Sequence, residues 1–295
     1  MTRIAAVIVT YNNSGMLEAL LRALEAQSRR PDLSIVVDNA GDAGTSSVAA
    51  RFPGVVYVRL PRNTGSAGGY AEGLRLALER GCGLIWTLDD DVSPEPDALA
   101  WAVGTLKGFP EEERVCAVRA VGAGHPVPYP TRLPVIPWRG TLLTAEAVGR
   151  AGPPERNFFL YGEDLEYSLR LTRLGYRFYW APASRCIESR MDGKTELRFF
   201  GLRARVYSDP SRLYYAFRNE IYIYLLYRRP ADILRVLAYA LKLSAAFVLL
   251  RPAASVEKIM AISGGIRDGF SGRLGERPGT GRAMRFKKTG SAGER

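Results

Sequence analysis

The segment Leu84-Ile85-Trp86-Thr87-Leu88-Asp89-Asp90-Asp91-Val92-Ser93-Pro94 begins with an apolar run of strand-forming residues that is followed by three consecutive carboxylates. The apolar part predicts a buried strand of a parallel sheet. Adjacent carboxylates repel one another, so a folded protein keeps them together where a cation lies between them or where water screens them.

Side chains two apart on an extended segment face the same way, so we expect Asp89 and Asp91 to face one side and Asp90 the other. Two such carboxylates at the carboxyl edge of a sheet suit a hard divalent cation that also holds a phosphate-bearing ligand. The alternative interpretation is a solvated acidic turn, because Asp, Ser and Pro are all turn residues.

Strands and helices alternate around this segment. Strands are predicted at 4–9, 33–39 and 55–60, and helices at about 14–24 and 70–80. Short links between them predict an α/β fold with a parallel sheet covered on both faces. Polar residues follow the first, second and fourth strands at one edge, where ligands bind in open α/β sheets. Ser14 is a possible N-cap of the first helix.

A glycine-rich segment, Asn63-Thr64-Gly65-Ser66-Ala67-Gly68-Gly69, precedes the second of these helices. The backbone N–H groups of such a turn, together with the helix dipole, can cradle a phosphate. The alternative is that the glycines let the helix and a strand approach closely. The segment is not a P-loop, because no lysine follows it, and a dinucleotide fingerprint belongs after the first strand instead.

The pattern loosens in the second half of the chain. Strands are predicted at 115–118, 138–143 and 176–182, and Arg139 is a candidate phosphate or acceptor contact. The single histidine, His125, is expected in a loop with no special role, and a mechanism that needs two histidines is excluded.

A second acidic centre follows the aromatic run 158–161, where Gly162-Glu163-Asp164 predict the start of an amphipathic helix with Leu165 and Leu169 on its core face. Acids at a helix N-terminus are often only caps and dipole partners. The functional alternative is a carboxylate that the helix end aims at a cleft, where it can take a proton from an incoming hydroxyl.

The net charge of +11 is concentrated near the C-terminus, where residues 228–295 carry 14 Lys/Arg against 5 Asp/Glu. Such asymmetry marks a partner of negative charge, either nucleic acid or anionic lipid. From residue 213 onward tyrosines and arginines interleave, and residues 233–250 are apolar apart from Arg235, Lys242 and Ser244. This segment predicts an amphipathic helix on a membrane surface or a buried bundle helix, and the basic tail 273–295 is expected to be flexible.

The three cysteines, Cys82, Cys116 and Cys186, show no metal-type spacing and are expected to be small core residues in a reducing cytosol. Because the first predicted strand starts almost at once, we expect no secretory signal.

Taken in order, these motifs make residues 4–229 similar to family 2 glycosyltransferases of the GT-A fold. The motifs are Thr10-Tyr11-Asn12, Val37-Asp38-Asn39, the glycine-rich segment, the three aspartates and Gly162-Glu163-Asp164. Within that family the glycine-rich segment and Tyr215-Ala216-Phe217-Arg218-Asn219 most resemble bacterial galactofuranosyl- and rhamnosyltransferases, which build cell-wall or surface polysaccharide on a polyprenyl diphosphate lipid.

The resemblance implies a Rossmann-like, mostly parallel sheet with helices on both faces, plus a helical, membrane-associated C-terminal extension. It implies a GT-A domain at 1–212, with a nucleotide-sugar half at about 1–108 and an acceptor half at about 109–212. A basic, aromatic helical region would follow at 213–272, and a flexible tail at 273–295.

The resemblance also implies the roles of individual residues. The donor, a UDP- or dTDP-linked sugar, would contact Thr10, Tyr11, Asn12, Asp38, Asn63, Gly65, Gly68, Gly69 and Asp90. Asp89 and Asp91 would bind Mn²⁺ or Mg²⁺, and Asp164 would be the general base. Arg139 and Glu163 would contact the acceptor. Related enzymes often have a metal-binding histidine after the last core strand, whereas this chain has Glu188, whose oxygen would suit the same metals as a third ligand.

The implied activity is inverting transfer of galactofuranose or rhamnose to a hydroxyl of a polyprenyl-diphosphate-linked saccharide, at the inner face of the plasma membrane and without a nucleic-acid partner. A sugar-phosphate nucleotidyltransferase stays open as an alternative, although the chain lacks an early lysine-bearing phosphate loop. A non-catalytic module that binds nucleotide or a membrane surface also stays open, with the missing histidine as its argument. The oligomeric state is left open.

Overall fold

The computed structural model describes residues 2–122, 127–188, 194–199, 202–207, 209–250 and 255–277, and within these ranges it does not describe the side chains of 188–206. The predictions for His125 and for the tail from residue 278 onward lie outside the described residues.

Strands and helices alternate through the first two thirds of the chain, and helices follow. The strands are β1 Ile4–Thr10, β2 Leu33–Asp38, β3 Val55–Arg59, β4 Leu84–Asp89, β5 Val92–Pro94, β6 Val115–Val121, β7 Arg132–Leu133, β8 Thr141–Thr144, β9 Arg177–Glu188, β10 Lys194–Phe199 and β11 Leu202–Tyr207. The helices are α1 Ser14–Glu25, α2 Ala43–Ala49, α3 Gly65–Glu79, α4 Ala98–Lys107, α5 Ala145–Ala151, α6 Glu163–Arg173, α7 Pro210–Leu226, α8 Pro230–Leu250 and α9 Ser255–Phe270.

One large mixed sheet forms the centre of the fold, with the strand order β3-β2-β1-β4-β8-β6-β9-β5 and with β7 paired to β9. The strands β3, β2, β1 and β4 are parallel. The strand β8 runs antiparallel to both β4 and β6, whereas β6 and β9 are parallel. The α/β class is therefore confirmed, and antiparallel pairs enter the sheet beyond β4.

Helices cover both faces of the sheet, as the sequence predicts. Alternate side chains of β4 enter opposite cores, with Trp86 on the side of α1 and α4 and Ile85 on the side of α3 and α6. All three cysteines are buried and unpaired, which confirms their prediction as core residues.

The helix α3 begins at Gly65, five residues before the predicted start. The small residues of its first turns allow it to pack closely against β1. A Cβ at Gly69 would lie 2.5 Å from Cγ1 of Val9, so this glycine permits the close approach of helix and strand. At α1 the predicted N-cap is wrong, since Ser14 is the first helical residue and Asn13 precedes it without a side-chain capping bond.

Two further predictions are corrected by the structure. The strand β8 starts at Thr141, because the chain turns through Trp138, Arg139 and Gly140 before it. On α6 the buried apolar residues are Tyr167 and Leu171, which pack on the sheet. The predicted core residues Leu165 and Leu169 are half-buried against Phe158 and the helix α7.

The helices α7, α8 and α9 pack on one another through an apolar core of their own. Among the described residues, α8 is the one helix that is long and apolar enough to cross a membrane, and 28% of its most apolar window is buried inside the structure. One side of α8 packs on α7 and α9, while Leu241 on the other side is 75% exposed. The helix thus has one face packed in the bundle and one open apolar face, and its location on a membrane surface stays a prediction.

The first residues of the predicted tail make hydrogen bonds to the rest of the fold, and the flexibility of the tail stays a prediction. The N–H of Gly275 donates to the carbonyl oxygen of Asn157 at 2.7 Å, and the N–H of Arg277 donates to the hydroxyl of Tyr215 at 2.8 Å.

Candidate functional site

A cleft of about 460 Å³ lies at the carboxyl edge of the parallel strands, a size typical of small-molecule sites. It brings together the two acidic centres, which lie more than seventy residues apart in the sequence. The predicted site residues that line it are Thr10, Tyr11, Asn63, Gly65, Asp89, Asp90, Asp91, Arg139, Glu163 and Asp164.

The three consecutive aspartates all line this cleft, so the prediction that Asp90 faces away from Asp89 and Asp91 is wrong. The reason is that β4 ends at Asp89 and the chain turns at Asp90 and Asp91, which breaks the alternation of an extended strand. The carboxylate of Asp90 accepts hydrogen bonds from the hydroxyl of Thr10 at 2.7 Å and the amide of Asn13 at 2.9 Å.

The hydroxyl of Tyr70 donates to Oδ1 of Asp89 at 2.6 Å, and Nε of Arg139 lies 3.8 Å from Oδ2. Burial against the cleft walls raises the pKa of Asp89 to about 7, and the negative charge of Asp91 and Asp90 adds to this effect. The hydrogen bond from Tyr70 and the charge of Arg139 oppose the rise.

The donor set at this edge fits a hard divalent cation. Asp89 and Asp91 supply carboxylate oxygens to one cleft, where the charges of Asp91 and Asp90 add to the rise in the pKa of Asp89 that burial causes. Mg²⁺ and similar ions are commonly bound through one or two carboxylates with substrate phosphates as the remaining ligands. No group of three His, Cys, Asp or Glu side chains suited to a metal converges among the described residues.

The predicted third ligand, Glu188, has a described backbone but not a described side chain. Its backbone pairs with Val92, which directly follows Asp91, so β9 brings this residue next to the aspartates. Its role as a ligand stays a prediction.

Four predicted donor contacts do not line the cleft: Asn12, Asp38, Gly68 and Gly69. Asp38 is fully buried at the end of β2, where it accepts hydrogen bonds from the N–H of Gly41 at 2.7 Å and the hydroxyl of Tyr57 at 2.6 Å. Asn12 accepts a hydrogen bond from the N–H of Asp42 at 2.8 Å. These side chains stabilise the loops that follow β1 and β2.

The start of α3 is fixed by two asparagines. The side chain of Asn39 donates to the carbonyl of Gly65 at 2.7 Å and accepts from the N–H of Thr64 at 2.9 Å, while Asn63 accepts from the N–H of Gly65 at 2.8 Å. Gly65 has a φ of 70°, and a Cβ there would lie 1.7 Å from the carbonyl oxygen of Phe159. Glycine is therefore required where the first and second halves of the cleft touch.

The second acidic centre begins α6, as predicted. Glu163 is 4% exposed, its Oε1 accepts a hydrogen bond from the hydroxyl of Ser66, and its Oε2 has no hydrogen-bond partner among the described residues. Burial raises the pKa of Glu163, and the adjacent charge of Asp164 raises it further.

Asp164 is half-buried in the cleft wall, and its Oδ1 accepts the N–H of Leu165 at 2.8 Å. Burial raises the pKa of Asp164, while hydrogen bonds from backbone N–H groups and the charges of Arg139 and Arg119 lower it. The carboxylate therefore has the exposure and the raised basicity of a candidate proton acceptor.

Sequence reasoning missed several residues that shape the cleft. Tyr70 stacks on Trp138 with ring centroids 4.8 Å apart, and Trp138 lines the cleft beside Arg139. Tyr207 and Arg212 line its far end, where Arg212 lies over the Tyr207 ring. The sequence signal for Tyr70 was an aromatic residue directly after the glycine-rich segment. The positions of Trp138, Tyr207 and Arg212 depend on long-range packing, which the sequence pattern does not show.

Comparisons with known proteins point to one family and one fold. The family described as "Glycosyl transferase family 2" matches residues 5–145, which contain the first acidic centre. Galactofuranosyltransferase GlfT1 of Mycobacterium tuberculosis is 27% identical, with 74% of this chain and 81% of that protein covered. The undecaprenyl-phosphate mannosyltransferase of Micrococcus luteus is 29% identical, with 63% of this chain and 70% of that protein covered.

Among solved structures, the mannosyltransferase PcManGT of Pyrobaculum calidifontis, in complex with GDP-Man and Mn²⁺, superposes with a TM-score of 0.59. The two chains are 17% identical, with 92% of this chain and 88% of the other covered, so the likeness shows the fold. The family match, the distant relatives and the acid-lined cleft lead to one conclusion: residues 5–145 belong to glycosyl transferase family 2, and the chain is a glycosyltransferase with a GT-A-like fold.

Proposed function

We propose that this glycosyltransferase inverts the anomeric centre of a nucleotide-linked sugar, galactofuranose or rhamnose, as it transfers that sugar to a hydroxyl of a polyprenyl-diphosphate-linked saccharide. The observation that carries the proposal is the single cleft that joins Asp89, Asp90 and Asp91 to Asp164. The similarity to galactofuranosyltransferase GlfT1 favours galactofuranose as the first sugar to test.

Asp89 and Asp91 would hold Mn²⁺ or Mg²⁺, which when bound would neutralise the negative charge of the leaving nucleoside diphosphate. Tyr70 and Arg139 contact Asp89 and orient its two oxygens. Thr10 and Asn13 hold Asp90 beside them, so hydrogen bonds within the protein support the first centre.

Asp164 would accept the proton of the acceptor hydroxyl while that oxygen forms a bond to the anomeric carbon and the bond to the diphosphate breaks. Its raised pKa suits this role, since a carboxylate with a pKa nearer to neutrality is a stronger base. A single displacement inverts the centre and requires no nucleophile from the enzyme. Glu163 and Arg139, which flank this wall of the cleft, would contact the acceptor.

The open face of the C-terminal helices would seat the enzyme on the inner face of the plasma membrane. Exposed apolar residues extend along α8 and α9 and are Leu234, Leu241, Val248, Leu249, Leu250, Val256 and Met260. The cations Arg235 and Lys242 are exposed on the same helix. An apolar face flanked by cations fits an anionic bilayer, where a lipid-linked acceptor resides.

Calorimetric binding of UDP, dTDP and GDP, each with and without Mn²⁺, tests the donor half of the proposal. We expect metal-dependent binding of UDP or dTDP, which selects UDP-galactofuranose or dTDP-rhamnose for transfer assays on octyl glycosides; binding of GDP alone would contradict the proposed donors. Product from the selected donor with an inverted linkage would support the reaction. Folded protein that binds none of the three nucleotides would instead favour the non-catalytic module.

Vesicle sedimentation tests the membrane half. Phosphatidylcholine vesicles that contain phosphatidylglycerol should bind the protein, and the double variant L241E/L249E should bind at least about tenfold more weakly, because burial of each leucine contributes about 1.5–3 kcal/mol. The matched control is Trp101→Glu, a 53% exposed apolar residue on α4, far from this face in the sequence. Equal binding of all three proteins would refute this docking face.

A further inference from the structure

The segment Asn157–Gly162, which leads directly into Glu163 and Asp164, has an unusual backbone. Phe159, Tyr161 and Gly162 have φ values of 63°, 65° and 83°. Non-glycine residues rarely adopt this left-handed region, and a bulky aromatic residue there persists when its surroundings hold it in place. The structure therefore needs strong local restraints at the point where the second acidic centre begins.

Asn219, in the middle of α7, supplies three of these restraints. It is fully buried, and its side-chain amide donates to the carbonyl oxygens of Phe158 at 3.0 Å, Leu160 at 2.9 Å and Tyr161 at 2.6 Å. A Cβ at Gly162 would lie 3.0 Å from the Cβ of Asn219, so the segment and α7 are in direct contact at the residue that precedes Glu163.

Arg218 holds the beginning of the same segment. It is 1% exposed, and its Nη2 donates to the carbonyl oxygens of Phe158 at 2.8 Å and Asn157 at 3.3 Å. Its Nη1 donates to the carbonyl of Gly275 at 2.6 Å, and its guanidinium lies over the ring of Tyr215. A buried guanidinium whose partners are neutral carbonyls satisfies its hydrogen bonds without an acidic partner among these contacts.

The helix α3 restrains the segment from the opposite side. The carbonyl of Phe159 accepts the N–H of Ala67 at 3.3 Å, and Ser66 donates to Glu163. The segment therefore lies between α3 and α7. Its carbonyl oxygens accept hydrogen bonds from both helices.

From these contacts we propose that Arg218 and Asn219 are positioning residues, which hold the segment Asn157–Gly162 so that Asp164 points into the cleft at the acceptor hydroxyl. The inference rests on the proposed role of Asp164 as the base. It assigns α7 a part in catalysis that is separate from membrane docking. A purely structural role, in which the pair ties α7 to the sheet domain, would change stability without a selective change in turnover.

The central test is Asn219→Ala, compared with wild type in steady-state transfer from the donor that calorimetry selects to an octyl glycoside. We expect kcat to fall by about tenfold to a hundredfold, because a small displacement of a reacting group has this effect. The affinity for the nucleotide with Mn²⁺ should stay within about twofold. The reason is that Thr10, Asn13 and Tyr70, which donate hydrogen bonds to Asp90 and Asp89, lie outside α7. Amide exchange measured by mass spectrometry should become faster in residues 157–166 and stay unchanged in β1 and β4.

The matched control is Phe217→Leu, which shortens a buried side chain of the same helix that packs in the core shared by α7, α8 and α9 and not in the clusters that contain the segment. It should leave kcat within about twofold of wild type. Arg218→Lys keeps the positive charge and one donor nitrogen in place of three. An intermediate fall in kcat is expected. This milder variant keeps the test possible where Asn219→Ala does not fold.

Two outcomes separate the inference from the proposed function. If Asp164→Asn abolishes transfer while folded Asn219→Ala and Arg218→Lys keep the wild-type kcat and the wild-type exchange of 157–166, the positioning role is refuted and the base assignment stands. If Asp164→Asn transfers sugar at the wild-type rate, the base assignment itself is wrong and the positioning role falls with it.

Discussion

The two acidic centres of the cleft are built in different ways. The first follows a strand, and its carboxylates take hydrogen bonds from Thr10, Asn13 and Tyr70, which belong to elements packed next to that strand. The second begins a helix, and the backbone before it is held by Arg218 and Asn219, about sixty residues further along the chain.

The first centre is therefore a consequence of strand order, since any chain that places β1 beside β4 brings Thr10 to the acids. The second centre depends on the packing of α7, a helix that periodicity alone does not connect with it. The comparison indicates that α7 supports one wall of the cleft, in addition to its proposed role at a membrane.

The largest effect is expected at the second centre. Asp164→Asn should lower kcat by about 10²–10⁴-fold, the usual contribution of a general base, because the amide cannot accept the proton. Metal-dependent nucleotide binding and the thermal midpoint should remain near the wild-type values, since Asp164 is half-buried and accepts one local backbone bond. Asp97→Asn, an exposed acid before α4, is the control. Loss of folding in the Asp164 variant would show that this acid is structural.

The junction between the centres should respond to an added methyl group. Gly65→Ala would place a Cβ 1.7 Å from the Phe159 carbonyl at a φ of 70°, and we expect it to lower the free energy of unfolding by about 3 kcal/mol. Gly15→Ala is the control, since a Cβ there meets no atom within 4 Å, and it should be neutral or stabilising by up to about 1 kcal/mol. Urea unfolding measures both. Equal stability of the two variants would mean that α3 and the segment do not support each other.

The first centre should show its effect in binding. Asp89→Asn is expected to weaken nucleotide binding in the presence of Mn²⁺ by at least about tenfold and to leave binding without metal unchanged, because it removes an anionic ligand. Tyr70→Phe, which removes the hydrogen bond to Asp89, should have the same direction and a smaller size. Calorimetry with UDP measures both, and an unchanged metal dependence in Asp89→Asn would contradict the metal assignment.

The sequence alone was sufficient for the four parallel strands, the acids after β4 and the helix start at Glu163, because each has an unbroken apolar run or a helical period beside it. It misplaced the start of α3, since a glycine-rich stretch reads equally as a loop or as a closely packed helix; the contact of Gly69 with Val9 resolves this. The assignment of Asp38 to the base pocket stays a prediction, although its carboxylate is already bonded to Gly41 and Tyr57.

Long-range polar contacts were beyond sequence reasoning. Nothing in the local pattern connects Asn219 with Leu160 or Tyr161, because the contact depends on how α7 packs after the sheet has formed. The segment of α8 was ambiguous for a related reason: when both faces of a helix are apolar, periodicity cannot show which face packs and which stays open. The structure shows that Val236 and Leu243 pack, while Leu241 and Leu249 are exposed.

The smallest effect concerns pH. Burial and the neighbouring Asp164 raise the pKa of Glu163 from 4.5 to about 8, so between these values the folded state keeps a proton that the unfolded chain has lost. The unfolded state binds fewer protons in this window, and the contribution of Glu163 to stability therefore falls as the pH rises from about 4.5 to 8. Glu163→Gln is neutral at every pH and escapes this loss. Its stability relative to wild type should thus be greater at pH 8 than at pH 5, by on the order of 1 kcal/mol or more. Urea unfolding at the two pH values measures the difference, with Glu112→Gln, an exposed acid, as the control. A difference that is the same at both pH values would mean that Glu163 is ionised in the folded protein. Both acidic centres would then carry negative charge.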